Sequence, residues 1–229
     1  MIISHRHKFI FIKTHKTAST SIEIALSSIC GKNDVITPIS PEDEKIREEL
    51  GYIGKQNIHI DFLKYSLIDF MRLIFFQKRK KFRRHMGCEE VKNNISSAIW
   101  NSYYKFSFER NPFDKMVSLY FWRNGVKEYG NFYSFLTKSK LDPFDSYSRY
   151  TLNGKIAVDR VYQYEKLDFF LRDFSKKIGL EQTLHLPEYR AKSNTREIKN
   201  YKNLLDPKSI EFIKTRFAKE IELFDYKYA

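Results

Sequence analysis

The chain has 229 residues, of which 16% are aromatic, with 8 Gly, 6 Pro and 2 Cys. This length suits one domain, 1–229, with a sizeable core, and the composition excludes a collagenous or Pro-rich chain, a disulfide framework and a cysteine-based zinc site. A net charge of +13 favours polyanionic partners, but no zinc-finger spacing or RNA-recognition signature accompanies it, so an anionic glycan or a multiply charged small molecule is expected rather than nucleic acid.

The first residues, Met1-Ile2-Ile3-Ser4-His5-Arg6, enter a strand almost at once and lack the long apolar region and cleavage site of a signal peptide. A cytoplasmic protein without an anchor is the expectation. A strand over about residues 8–13 then leads through a polar loop into a helix over about 18–30, and a short strand follows near Val35. A helical insert over about 40–100 comes next, with helices at Glu42–Leu50 and Phe62–Phe76 and another starting near Glu89. Lys64, Asp69 and Arg72 interrupt the stretch Phe62–Phe76, which is too short and too charged to span a membrane.

The dense basic run Lys78-Arg79-Lys80-Lys81-Phe82-Arg83-Arg84 follows. It reads as a solvated face, as an acceptor-binding rim for an acidic glycan, or as a contact with a membrane surface. A strand at 104–109, a helix at 112–124, a polar aromatic region from Tyr129 to Tyr150, a strand at Val161–Tyr164, a helix at 166–178 and a last helix at Pro207–Glu222 complete the order. Strands alternating with helices predict an α/β fold of three layers, a parallel sheet with helices on both faces. Ligands in such folds sit beyond the carboxyl ends of the strands, and two loops there carry the chemistry.

The first loop is Lys13-Thr14-His15-Lys16-Thr17-Ala18-Ser19-Thr20-Ser21. It places two lysines and five hydroxyls ahead of a helix N-terminus, where unpaired N–H groups and the helix dipole favour an anion. It has no glycine, so it is not a Walker A loop. The second, Phe106-Ser107-Phe108-Glu109-Arg110-Asn111-Pro112-Phe113-Asp114-Lys115-Met116-Val117-Ser118-Leu119-Tyr120, puts Arg110 at a strand end, Pro112 in the first helical turn and Ser118 two turns further on. An arginine fork matches phosphate oxygens.

Together these segments resemble sulfotransferases that use 3′-phosphoadenosine 5′-phosphosulfate (PAPS). His15 to Ser21 is similar to the family's P-K-T-G-G-[TS]-[ST] loop, with His15 in place of Pro and Ala18-Ser19 in place of the glycine pair. Arg110 to Tyr120 is similar to R-[ND]-P-x-[DE]-[KR]-x-x-S-x-[YF]. The resemblance implies a P-loop NTPase-like sulfotransferase fold, PAPS as co-substrate with its desulfated form PAP as product, and no metal requirement. It places Lys16, Thr17, Ala18, Ser19, Thr20 and Ser21 around the 5′-phosphosulfate, with Lys13 and His15 as secondary contacts, and Arg110 with Ser118 on the 3′-phosphate. His85, in His85-Met86-Gly87-Cys88, is spaced from the second motif like the histidine base of the polysaccharide-type branch, which includes heparan sulfate 2-O-sulfotransferases. Ile156 to Leu167 and Arg216 to Phe224 resemble the following strand–helix unit and closing helix of bacterial relatives. Lys192 and Ser193 resemble a polar loop that closes over cofactor or acceptor.

A histidine suits removal of a hydroxyl proton near neutral pH. His85 is the first candidate base, His59 the second and Glu109 a lesser one. The implied acceptor is a hydroxyl, that of a sugar or polysaccharide by the nearest branch, and Trp100 and Trp122 offer faces on which a sugar ring could stack. A nucleotide-dependent kinase and a non-catalytic, basic glycan-binding module are the competing readings.

Overall fold

The computed structural model describes residues 1–187 and 204–228. Its central sheet holds β1 (Ile2–Ser4), β2 (Phe9–Phe11), β3 (Val35–Ile36), β4 (Tyr104–Glu109) and β7 (Arg160–Gln163), in the order β3-β1-β2-β4-β7. β5 (Thr151–Leu152) and β6 (Lys155–Ile156) form a separate antiparallel pair. β4 lies parallel to both β2 and β7, whereas β1 runs against β2 and β3. The sheet is therefore mostly parallel rather than wholly so. Only residues 5–8 separate β1 from β2, and so short a link joins strands only as an antiparallel hairpin.

Strand alternation sorts the core into two faces. Ile2, Phe9, Phe11, Phe106, Phe108 and Tyr162 share one cluster with Ile22 and Leu26 of α1 (Ser19–Ser27) and with Phe170 and Phe174 of α10 (Leu167–Lys177). Ile3, Ile10 and Ile12 join the other, with Cys88 and Val91 of α4 (Cys88–Asn94) and Trp100 of α5 (Ser97–Ser102). Phe106 is the hub of the aromatic face, with ring centroids 5.3 Å from Phe11 and 4.7 Å from Phe174. Each such buried ring contributes about 2 kcal/mol. Trp100 is thus a core residue, unavailable for stacking on a sugar.

A third cluster joins α6 (Pro112–Trp122), α8 (Phe132–Lys138) and α11 (Pro207–Arg216). Between 41 and 102 the chain is largely helical, adding α2 (Pro41–Glu49) and α3 (Leu67–Phe76). Local chemistry redraws several predicted boundaries. The helix expected over 62–76 breaks at Tyr65, because Ser66 caps α3 in a reciprocal pairing with Asp69. The region 129–150 contains α8, a 3₁₀ turn at Asp142–Phe144 and α9 (Tyr147–Tyr150), while α7 (Gly125–Tyr129) just precedes it. The final helix splits at Phe217, whose φ of −117° and ψ of 30° separate α11 from α12 (Ala218–Phe224).

Candidate active site

β2 and β4 are parallel neighbours in the sheet, so the loops after them emerge side by side. They line one cavity of about 340 Å³, whose wall includes Lys13, His15, Lys16, Ala18, Ser19, Thr20, Ser21, His85, Arg110 and Ser118. Among the described residues no Asp or Glu lines it. The wall is cationic, hydroxylic and aromatic, which is the donor set a polyanion requires.

The first loop is held by a left-handed turn. Lys16 has φ 63° and Ala18 φ 53°, whereas Ser19 begins the helix with ordinary backbone angles. Ala18, the cap residue, has no side chain that can accept from the first-turn N–H groups of α1. These donors remain for a guest. Thr14 fastens the loop to β4, its Oγ1 donating to the Phe108 carbonyl at 2.7 Å, and its own carbonyl accepts from Ser19 Oγ at 2.7 Å. Thr17 is buried, with its hydroxyl 3.1 Å from that of Thr14. Its side chain therefore sets the turn and does not face the cavity. Lys13 reaches the wall, but its charge is already met by the buried Glu23, and its Nζ lies 3.4 Å from Thr20 Oγ1. Burial draws the Lys13 ammonium below its ordinary pKa, while Glu23 opposes that.

Arg110 points toward the lysine loop. Its Nη1 donates to the Lys16 carbonyl at 2.8 Å, its Nε and Nη2 reach Asp114 at 2.7 and 2.5 Å, and its Cζ lies 4.2 Å from the centroid of the Tyr164 ring. Among the described residues three of its five N–H groups are used in this way, leaving two for a ligand. Ser118, from α6, lines the same wall.

His85 and His15 are stacked, 3.6 Å between centroids. His85 Nδ1 lies 3.2 Å from the Lys13 carbonyl. A carbonyl only accepts, so Nδ1 carries the hydrogen and Nε2 keeps its lone pair. Burial, then the neighbouring His15 and Lys13, lowers the His85 pKa to about 2. Burial and Arg149, Lys115, Lys13 and Lys16 lower that of His15 to about 3. Both rings are neutral across the physiological range.

A sequence model of the Sulfotransferase family matches residues 1–227. The chain belongs to that family. It is also 29% identical, over 120 residues, to an uncharacterized protein of Archaeoglobus fulgidus, a match that covers 50% of this chain and 96% of that one. No solved structure matches it.

Within this sulfotransferase, two candidate bases fall outside the cavity. His59 is exposed and pairs across an isolated bridge with Lys81. Backbone alternation turns Ile60 inward and so turns His59 outward. Glu109 is fully buried, its Oε1 accepting from Lys115 Nζ at 3.1 Å and from the Arg110 amide at 3.0 Å, its Oε2 from Tyr150 at 3.0 Å. It braces the end of β4 instead of meeting an acceptor. Lys192 and Ser193 lie outside the described residues. Four further residues complete the wall: Arg84, Trp122, Phe144 and Tyr164. The sequence pointed to Arg84, as the last member of the basic run, and to Trp122, as a stacking face, but carried no signal for Phe144 or Tyr164.

The neutral histidine pair makes the fold acid-sensitive. The unfolded chain gains protons near pH 6.5 and the folded state does not, so stability falls as pH drops from about 7 toward 3, by up to about 1.4 kcal/mol per unit for each ring. Glu220, raised to about 7 chiefly by burial and then by Glu109, acts in the opposite sense. The measurement is therefore a difference: urea unfolding at pH 7 and pH 5 should show a smaller loss in His15→Gln than in wild type. Equal losses would contradict a neutral His15.

Proposed function

We propose that this sulfotransferase moves the sulfuryl group of PAPS to a hydroxyl acceptor, a sugar hydroxyl being the class that suits the site. The observation that carries the reading is the convergence of the Lys16 loop and the Arg110 strand end on one cavity that no described carboxylate lines. Segments before, within and after the helical region contribute to that wall, which supports one catalytic unit over the whole chain.

The roles follow from charge and position. Ser19, Thr20, Ser21 and the first-turn amides of α1 hold the 5′-phosphosulfate. Arg110 and Ser118 hold the 3′-phosphate. In the transfer, the sulfur–oxygen bond to the 5′-phosphate breaks as one to the acceptor oxygen forms. Lys16 offsets the charge that grows on the departing phosphate oxygen. His85 Nε2 takes the acceptor proton. Arg84, exposed on the wall and without a carboxylate partner among the described residues, adds charge where an acidic acceptor would enter. Trp122, 44% exposed, presents a ring face at the same wall, which supports stacking of a flat ligand surface.

Titration calorimetry tests the co-substrate. PAP should bind saturably, and ATP with Mg²⁺ should not compete with it. Arg110→Ala should weaken PAP about 10- to 100-fold, the loss of a charged hydrogen-bonding partner, and change the affinity for adenosine 5′-phosphate about twofold at most. Equal loss for both ligands would overturn the Arg110 assignment. ATP binding in place of PAP would favour a kinase, and polyanion binding without PAP a non-catalytic glycan-binding module.

A further inference from the structure

α3 carries eight apolar residues among ten, and none of its residues is buried. Leu67 is 77% exposed, Ile74 72% and Phe75 70%, and Leu63 just ahead of the helix is 90% exposed. At 100° per residue, Asp69 and Leu73 share one side of the helix, and both are half-buried. That side is tied down: Lys80 Nζ reaches Asp69 at 2.9 Å, and the Lys80 amide donates to Tyr65 Oη at 2.8 Å. Leu67, Met71 and Ile74 project from the opposite side, flanked by Ile68, Phe70 and Phe75. A contiguous apolar face of this kind on a monomer marks an interaction surface.

Cations surround the face. Lys78 lies over the Phe76 ring at 6.0 Å and Arg79 over Phe62 at 5.2 Å. Lys64, Arg72, Lys78, Arg79 and Lys81 have no carboxylate partner among the described residues. The helix spans about 15 Å, half the thickness of a bilayer's hydrocarbon core, so it cannot cross one; no described helix is long and apolar enough to do so. An apolar stripe rimmed by Lys and Arg fits the plane of a membrane interface instead.

We propose that α3 and the basic run after it dock this protein on an anionic lipid bilayer. The Leu67–Met71–Ile74 stripe enters the headgroup–acyl boundary, and Lys78, Arg79 and Lys81 meet the lipid phosphates. Charge selects this occupant over a second copy of the chain. A two-fold contact through α3 would set one ring of unpaired cations against another, whereas an anionic bilayer satisfies the stripe and the cations together. The run then continues through Arg84 and His85 into the wall of the catalytic cavity, so docking brings the cavity close to the lipid surface.

Flotation of the full chain with vesicles tests this independently of catalysis. The protein should float with phosphatidylcholine vesicles that contain phosphatidylglycerol, less with phosphatidylcholine alone, and less at high salt. Leu67→Glu with Ile74→Glu should weaken binding at least about tenfold. Lys78→Ala with Arg79→Ala and Lys81→Ala should weaken it about a hundredfold on the anionic vesicles. All five side chains are exposed, and unchanged circular dichroism and melting would show the variants folded. Three results would each overturn the proposal: no flotation of wild type, flotation unaffected by the paired Glu substitutions, or a dimer that these substitutions dissolve while vesicles go unbound.

Discussion

Lys16→Ala is expected to lower kcat about 100-fold or more while PAP affinity changes only a few-fold. The reason is where the charge develops. Before transfer the phosphosulfate charge is spread over many oxygens, which the first-turn amides of α1, Ser19, Thr20 and Ser21 also contact in the proposed pose. During transfer, negative charge accumulates on the bridging oxygen, and removing one preorganised donor from such a position costs about 10²–10³ in rate. The loop should survive the change. Its path depends on the Lys16 carbonyl, which accepts from Arg110, and on Thr14 and Ser19, none of which involves the Lys16 ammonium. That ammonium lies 5.3 Å above the Trp122 ring, inside the cavity wall. Steady-state kinetics at saturating PAPS, with calorimetry on PAP, separates the two effects. Near-normal turnover would remove Lys16 from the leaving-group position, and a loss confined to KM would make it a binding residue only.

His85→Ala is expected to lower kcat about 10²- to 10⁴-fold, the usual span for a general base, with PAP affinity close to wild type. The tautomer supports this choice: the Lys13 carbonyl fixes the hydrogen on Nδ1 and leaves Nε2 as the acceptor. Burial first, and neighbouring His15 and Lys13 after it, hold the His85 pKa at about 2, which makes the ring always available but weakly basic. A guest with several negative charges favours the protonated ring and so raises that pKa toward the working range. The acid limb of kcat against pH should therefore report His85 with the co-substrate bound, and the limb should vanish in His85→Ala. His59→Ala, on the exposed side of its bridge, should keep full activity. If His59→Ala lost activity and His85→Ala kept it, the roles would be reversed.

The two anion-binding loops were legible because each is short and contiguous. Apolar alternation, then cations and hydroxyls, then a helix start place a donor cluster at a strand end, and the Arg-Asn-Pro order does the same a second time. The families of side chains that pack the sheet were equally readable, since Phe9 and Phe11 alternate with Ile10 and Ile12 along one strand. What could not be read was which partner each side chain meets. Lys13 and Lys16 look alike in sequence, yet it is Lys13 that pairs with Glu23, ten residues beyond it and inside α1. Thr17 and Thr20 look alike too, and only the second faces the cavity. Trp122, Phe144 and Tyr164 reach the wall from three distant segments, so no spacing rule could have joined them.

The chain's order of residues alone determined an α/β framework, two donor-rich turns and an excess of positive charge, because these depend on local periodicity and composition. Tertiary structure decided the rest. Parallel pairing of β2 with β4 brought the turns to one cavity, alternation around Ile60 put His59 outside it, and stacking on His15 with a bond to Lys13 fixed the state of His85. Each of these depends on which neighbour a side chain meets across the fold, and that is set by burial and hydrogen-bond pairing between segments far apart in sequence.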